Sequence, residues 1–191
     1  MTAKHERRHL DSYYTPDPLA LAITRMADEL LEDKPARIIE PSVGKGAFVR
    51  AARATWPDAQ VLGVDCDATA TGLALCDQHL VGDWALATPG DPADLVVANP
   101  PYSAWQSHAE AAFPHAPDGL VVFLLRLAAL EGQCRAEFWR THRPSHVWAL
   151  SKRPSFTGGG TDAAAYGVVV WEPALFGAGL RDDTKLDWLT W

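Results

Sequence analysis

Residues 36–55 constrain the fold most. Ala36, Arg37, Ile38, Ile39 and Glu40 read as a short strand, Pro41 to Gly46 as a turn carrying two glycines, and residues 47–55 as a helix. Strand, turn and crossover helix form the unit from which parallel α/β sheets are built. Glycines let the backbone approach a ligand, and this turn ends on a helix N-terminus, so the unit also makes a nucleotide-type binding site. The full G-x-G-x-x-G spacing is missing, and Lys45 is not followed by Ser or Thr, which argues against a phosphate cradle.

Six further stretches read as strands: residues 59–64, 79–84 with a turn, 93–98, 119–125, 147–150 and 165–171. Between them helical patterns are predicted over residues 67–78 (weakly), 103–113 and 127–140. Near the N-terminus Leu19, Ala22, Ile23, Met26, Ala27, Leu30 and Leu31 recur at three and four. That helix would be capped by Thr15 or Asp17, with Pro16 or Pro18 in its first turn. The alternation implies an α/β fold: an open, seven-stranded, mostly parallel sheet with helices on both faces and ligands at the strand C-termini. With 191 residues, 48% of them hydrophobic, a single domain spanning 1–191 is expected. The tail carries Leu186, Trp188, Leu189 and Trp191 and is apolar enough to pack on the domain or on a partner.

Cys66, Cys76 and Cys134 form no C-x-x-C pair, and the seven histidines show no metal-ligand rhythm, so neither a disulfide framework nor a metal site is expected. No run of about 18 apolar residues is present, and the N-terminus is charged without an apolar segment behind it. The expectation is a cytoplasmic protein with no membrane partner. A net charge of −7 argues mildly against a large nucleic-acid surface, yet residues 126–153 hold six Arg and Lys against Glu131 and Glu137, enough for a local basic face.

The chemistry is expected where the apolar run of residues 93–98 stops, at Asn99-Pro100-Pro101-Tyr102. Pro100 has no N–H with which to continue a ladder, and Pro101 holds Pro100 extended, so the loop is stiff. It fixes the Asn99 side-chain carbonyl, the Pro100 backbone carbonyl and the Tyr102 ring in one arrangement. Two acceptors and one stacking face suit a planar group with an exocyclic amine whose lone pair then points at an electrophile. Asp65, nineteen residues beyond Gly46 and at the end of a strand, is placed to accept two ribose hydroxyls.

Asn-Pro-Pro-Tyr after an apolar strand resembles the catalytic motif of class I, S-adenosylmethionine-dependent methyltransferases that act on adenine N6 in DNA. Tyr13-Tyr14-Thr15-Pro16 is similar to the motif that precedes the cofactor site in such enzymes, and Glu40-Pro41-Ser42-Val43-Gly44-Lys45-Gly46-Ala47-Phe48 to their glycine turn. The motif order resembles that of adenine methyltransferases whose cofactor motifs precede the catalytic one, small phage-type enzymes are similar in size, and the resemblance implies work in a bacterium or phage-infected host. The resemblance implies a Rossmann-like sheet with a final antiparallel strand inserted beside the fifth. It implies S-adenosylmethionine as cofactor and S-adenosylhomocysteine as product, without a metal. Its cofactor site would comprise Tyr14, Thr15, Glu40, Pro41, Ser42, Gly44, Gly46, Phe48, Asp65, Cys66, Asp83, Trp84 and Asn99. Thr15 would hold the methionine carboxylate, Glu40 the ammonium, Gly44 and Gly46 room for the chain, and Asp83 the cofactor adenine.

Asn99, Pro100, Pro101 and Tyr102 would be catalytic. Phe156, opposite Tyr102 across a flipped base, and Lys152 and Arg153 would meet the DNA. Only 20 residues follow Trp171, fewer than the roughly 40 of an independent small domain. No target-recognition domain is therefore expected, and sequence choice falls to loops such as 151–162 or to a protein partner or homodimer. Two alternatives stay open: an RNA-adenine or protein-glutamine methyltransferase, whose enzymes share Asn-Pro-Pro-Tyr, and a cofactor-binding subunit inactive without a partner.

Overall fold

A computed structural model describes residues 14–156, 162–177 and 183–191. In chain order the regular elements are α1 (Asp17–Leu30), β1 (Arg37–Glu40), α2 (Ala47–Thr55), β2 (Gln60–Asp65), β3 (Gln78–Val81), β4 (Leu95–Ala98), α3 (Trp105–Ala112), β5 (Leu120–Arg126), α4 (Ala136–Thr141), β6 (His146–Leu150), β7 (Tyr166–Trp171) and β8 (Lys185–Leu189). The strands form one sheet in the order β3-β2-β1-β4-β5-β7-β6-β8. β1 to β5 pair in parallel, β7 runs antiparallel between β5 and β6, and β8 lies parallel to β6.

The buried strands alternate their side chains between two cores. Val122, Leu124, Val168 and Val170 face α1 and α2 on one side, while Val121, Phe123, Leu125 and Trp171 face α3 and α4 on the other. This is why residues 120–125 read as an unbroken apolar run: both faces of a parallel centre are covered. Helices α1 and α2 meet at Thr24 and Thr55, whose hydroxyls lie 2.9 Å apart. All strand C-termini of the parallel set open on one edge, and the sheet changes winding direction between β1 and β4, the place where α/β folds bind ligands.

Four expectations need correction. The sheet has eight strands, not seven. The added strand is Lys185-Leu186-Asp187-Trp188-Leu189, which alternates at the period of a strand, but its apolar face is left outside the core, with Leu186 and Trp188 62% and 63% exposed. The helix expected over residues 67–78 is only a 3₁₀ turn, Thr71–Leu75, because Gly72 must pack against the glycine turn. The helix expected over 127–140 is broken at Gly132, whose φ of 106° lies outside helical space, leaving short 3₁₀ turns and α4. Finally, α1 begins after Pro16 without a side-chain cap; neither Thr15 nor Asp17 serves as one.

Candidate active site

The turn after β1 uses both of its glycines, at φ 52° for Gly44 and 75° for Gly46, a backbone region that other L-residues seldom adopt. They do different things. A Cβ on Gly44 would meet the Tyr14 ring at 3.2 Å, at the wall of the cavity described below. A Cβ on Gly46 would meet Gly72 Cα and the Leu75 side chain at 2.9 Å, so Gly46 admits the neighbouring backbone rather than a ligand chain. Of the two glycines expected to make room for the cofactor, Gly44 reaches the cavity wall and Gly46 does not. The Gly72 N–H donates to the Gly44 carbonyl at 3.0 Å, and a Cβ on Gly72 would run into Gly46 N and Val43 Cγ1. Gly72→Ala is therefore expected to destabilise the fold by about 1–3 kcal/mol, as overpacking does; urea unfolding measures it, and a loss within 0.3 kcal/mol, about the scatter of a surface substitution, would refute the contact.

Above the turn lies a cavity of about 420 Å³, within the size range of small-molecule sites. Tyr14, Thr15, Glu40, Pro41, Ser42, Gly44, Phe48, Asp65, Cys66, Asp83, Trp84 and Asn99 line it, all from the expected set; Gly46 does not. Tyr13 lies outside the described residues. Pro101 also reaches the lining, so the cavity ends at the Asn-Pro-Pro-Tyr loop.

Each charged wall residue is held by the fold. Asp65 closes β2 onto the turn: Oδ2 accepts from Gly44 N at 2.7 Å and Oδ1 from Asp67 N at 2.9 Å. Asp83 both lines the cavity and accepts from Ala85 N at 3.0 Å, capping the 3₁₀ turn Trp84–Leu86. Glu40 is 2% exposed, and among the described residues its Oε2 has no hydrogen-bond partner. Burial pushes its carboxyl well above the usual range; the Val49 amide opposes this, and the nearby Asp65 charge adds to it. Four carboxyl groups (Glu40, Asp65, Asp67 and Asp83) against Lys45 make this cavity suited to a cationic ligand. Cys66, its thiol pushed up by burial and then by Asp65, stays protonated.

At the rim, Asn99 Nδ2 donates to Thr15 Oγ1 at 3.1 Å. The amide is thereby set with Oδ1 as its acceptor end, and the segment preceding α1 is tied to the end of β4. Burial pushes the Tyr102 phenol far up, so it stays protonated. Phe156 is a largely covered ring, 8% exposed, rather than one projecting from its loop into solvent. It is buried in the core against Tyr166, ring centroids 5.1 Å apart, and Tyr166 is the ring beside Tyr102, at 5.6 Å. Lys152 and Arg153 are exposed, with the Lys152 ammonium 4.3 Å from the Trp191 ring centre.

Sequence reasoning missed Thr69, Ala70, Thr71 and His108 in the lining, all from segments with no motif. His108 is legible only in three dimensions. Its Nδ1 lies 3.0 Å from the Ala104 carbonyl, its own carbonyl accepts from Trp84 Nε1 at 3.0 Å, and burial lowers its pKa, so the ring is neutral. Arg126 and Tyr166, beside Tyr102, were also passed over.

No family model matches the chain. Over 103 residues, 52% of the chain, it is 27% identical to the type II methyltransferase M.CvrRI of Paramecium bursaria Chlorella virus XZ-6E, covering 26% of that protein. Over 117 residues, 56% of the chain, it is 31% identical to the release factor glutamine methyltransferase of Escherichia coli K12, covering 40% of it. The chain thus spans well under half the length of these relatives. A crystal structure from Listeria monocytogenes, assigned as a class I S-adenosylmethionine-dependent methyltransferase, superposes with a TM-score of 0.76 at 16% identity, covering 97% of this chain and 68% of that one. The fold is that of a class I methyltransferase. Within the class I methyltransferase fold the cavity occupies the C-terminal edge of β1, β2 and β4, with Asn99 at the strand end nearest the switch in winding. No helix among the described residues is long and apolar enough to cross a membrane, and no cluster of three or more metal-ligating side chains occurs among them.

Proposed function

We propose that this protein transfers the methyl group of S-adenosylmethionine to the exocyclic N6 amine of adenine in DNA. The observation that carries the reading is the juxtaposition of an acidic cavity with the Asn99-Pro100-Pro101-Tyr102 loop at its rim, joined by the hydrogen bond from Asn99 to Thr15. The cavity residues fit the cofactor. Glu40 offers a buried carboxyl oxygen without a partner to an ammonium group, and Asp65 faces the cavity as an acceptor for ribose hydroxyls. Asp83, Trp84 and His108 form the end suited to an adenine ring.

When bound, the cofactor would supply an electrophilic methyl on a sulfonium. The chain's own residues orient the acceptor. Asn99 Oδ1 and the Pro100 carbonyl take the two amine hydrogens, and the Tyr102 ring bears the base, which leaves the duplex stack at a cost of a few kcal/mol. In that pose Asn99 and Pro100 would aim the amine lone pair at the methyl, so that an N–C bond would replace the S–C bond, a thioether would be left behind and the surplus amine proton would pass to solvent. Orientation supplies most of the acceleration, since no protein nucleophile is required. Recognition of the DNA sequence would fall to the loop at residues 151–162 or to a protein partner.

The similarity to a release factor glutamine methyltransferase favours a second reading, a protein amide as acceptor in the same loop. One assay separates them. The purified protein is incubated with radiolabelled S-adenosylmethionine and, in parallel, unmethylated DNA, total RNA and a protein extract. Label recovered as N6-methyladenine from DNA is expected. Label in protein glutamine would replace the proposal with the second reading. Cofactor binding without transfer to anything would point to a subunit that needs its partner.

A further inference from the structure

Tyr102 sits in a framework that the cofactor cavity does not explain. The Arg126 guanidinium lies over its ring, Cζ 4.5 Å from the centroid, and Tyr166 packs beside it at an interplanar angle of 53°. These two are themselves joined. Arg126 Nε donates to the Tyr166 hydroxyl at 3.1 Å, and that hydroxyl donates to Asp162 Oδ2 at 3.0 Å. Asp162 is fixed in turn, its N–H donating to the Pro154 carbonyl at 3.0 Å and its Oδ1 accepting from Ala164 N at 3.0 Å. Arg126 and Tyr166 are direct partners in the antiparallel ladder of β5 and β7, so the backbone sets the spacing between guanidinium and phenol.

We propose that Arg126 is a positioning residue, which, braced by Tyr166 and Asp162, fixes the plane of the Tyr102 ring on which the methyl acceptor lies. The inference rests on the assignment of Tyr102 as the acceptor's platform. Physically, a cation on one face of a phenol is worth about 0.5–2 kcal/mol, enough to hold one ring orientation against its rotation. A guanidinium is the right cation because its planar fork can stack on the ring and donate sideways in the same pose, which an ammonium cannot do. The antiparallel strand β7 thereby acquires a task besides joining β5 to β6: it delivers Tyr166 to brace the arginine. Charge matters too. A positive group against the ring withdraws electron density from it, which favours an electron-rich heterocycle as the stacking partner.

The test uses the full chain labelled with ¹³Cζ-tyrosine, whose four tyrosines give few enough signals to assign. In Arg126→Gln the Tyr102 signal is expected to shift and broaden, while S-adenosylhomocysteine affinity by calorimetry stays within about twofold, since Arg126 is outside the cavity lining. The turnover number should fall about tenfold or more with the KM for S-adenosylmethionine unchanged, as misplacement of an acceptor by a fraction of an ångström does. Arg126→Lys, which keeps the cation but loses the sideways donor, should recover part of the rate. In a Tyr102→Ala background Arg126→Gln should cost nothing further.

An unmoved Tyr102 signal overturns the proposal whatever the activity. So does an unchanged turnover number, or an undiminished cost of Arg126→Gln once Tyr102 is gone, which would mean that the arginine meets the substrate directly. Failure of the underlying reading looks different: Tyr102→Ala itself would be fully active.

Discussion

Asn99→Ala is expected to lower methyl transfer by roughly 10²–10³-fold, the scale seen when one preorganised polar group is removed from the reacting centre, and the variant should stay folded. The amide does two jobs. Its Nδ2 end is held by Thr15, 84 positions away in the chain, and in the proposed mechanism its Oδ1 end accepts from the acceptor amine. Losing it removes one of two acceptors that localise the lone pair, and leaves the Thr15 hydroxyl without that donor. Cofactor affinity should change by less than about tenfold, the worth of one neutral hydrogen bond. Single-turnover transfer of a radiolabelled methyl group, beside calorimetry of S-adenosylhomocysteine, separates the two effects. A variant as fast as the parent would end the proposed mechanism, because nothing else in the loop replaces a side-chain carbonyl at that point.

The second large effect concerns Glu40 and has opposite signs in the two states. In the free protein this buried carboxyl is held above its ordinary range chiefly by loss of hydration. The folded state therefore binds its proton more tightly than the unfolded chain. The sign follows: this group's contribution is most favourable below the unfolded carboxylate pKa of about 4.3 and is lost as pH rises from there through the raised folded value. Glu40→Gln keeps the shape and removes that loss, so the variant free of ligand should be at least as stable as the parent at pH 8, with a flatter dependence of stability on pH above 5. For the cofactor the change is harmful. An ammonium loses a charge-assisted partner worth about 1.5–3 kcal/mol, or roughly 10- to 150-fold in affinity. Thermal unfolding across pH and calorimetry of S-adenosylhomocysteine read the two sides. A variant less stable at pH 8 that binds normally would show that Glu40 has a structural partner rather than a ligand.

How far the sequence carried can be judged from individual residues. The β1 turn was legible because two glycines, a preceding acidic residue and a following helix all lie within a few positions. Asp65 was legible from spacing along the chain. The burial of Phe156 was not legible, because its position in a glycine-bearing loop suggests exposure whereas the side chain packs against Tyr166; nothing in the local sequence distinguishes a loop aromatic that reaches out from one that anchors. Gly72 falls inside the weak helical pattern of residues 67–78, yet its lack of a side chain is a requirement imposed by Gly46, 26 positions earlier. Arg126 was counted only as one charge in a basic stretch. Its place beside Tyr102 follows from the pairing of β4 with β5, and its brace by Tyr166 from the insertion of β7 beside β5, pairings that local periodicity does not encode. The residues missed were thus those whose role comes from a neighbour distant in the chain.

The last strand carries a practical corollary. Ser151 N donates to the Leu189 carbonyl at 3.0 Å, Trp191 Nε1 donates to the Lys152 carbonyl at 3.4 Å, and the Lys152 ammonium rests on the Trp191 ring. The root of the loop at residues 151–162 is therefore clamped by side chains and backbone of residues 189–191. An affinity tag or fluorescent fusion joined directly after Trp191 would pull on that clamp and is expected to loosen the root of the loop.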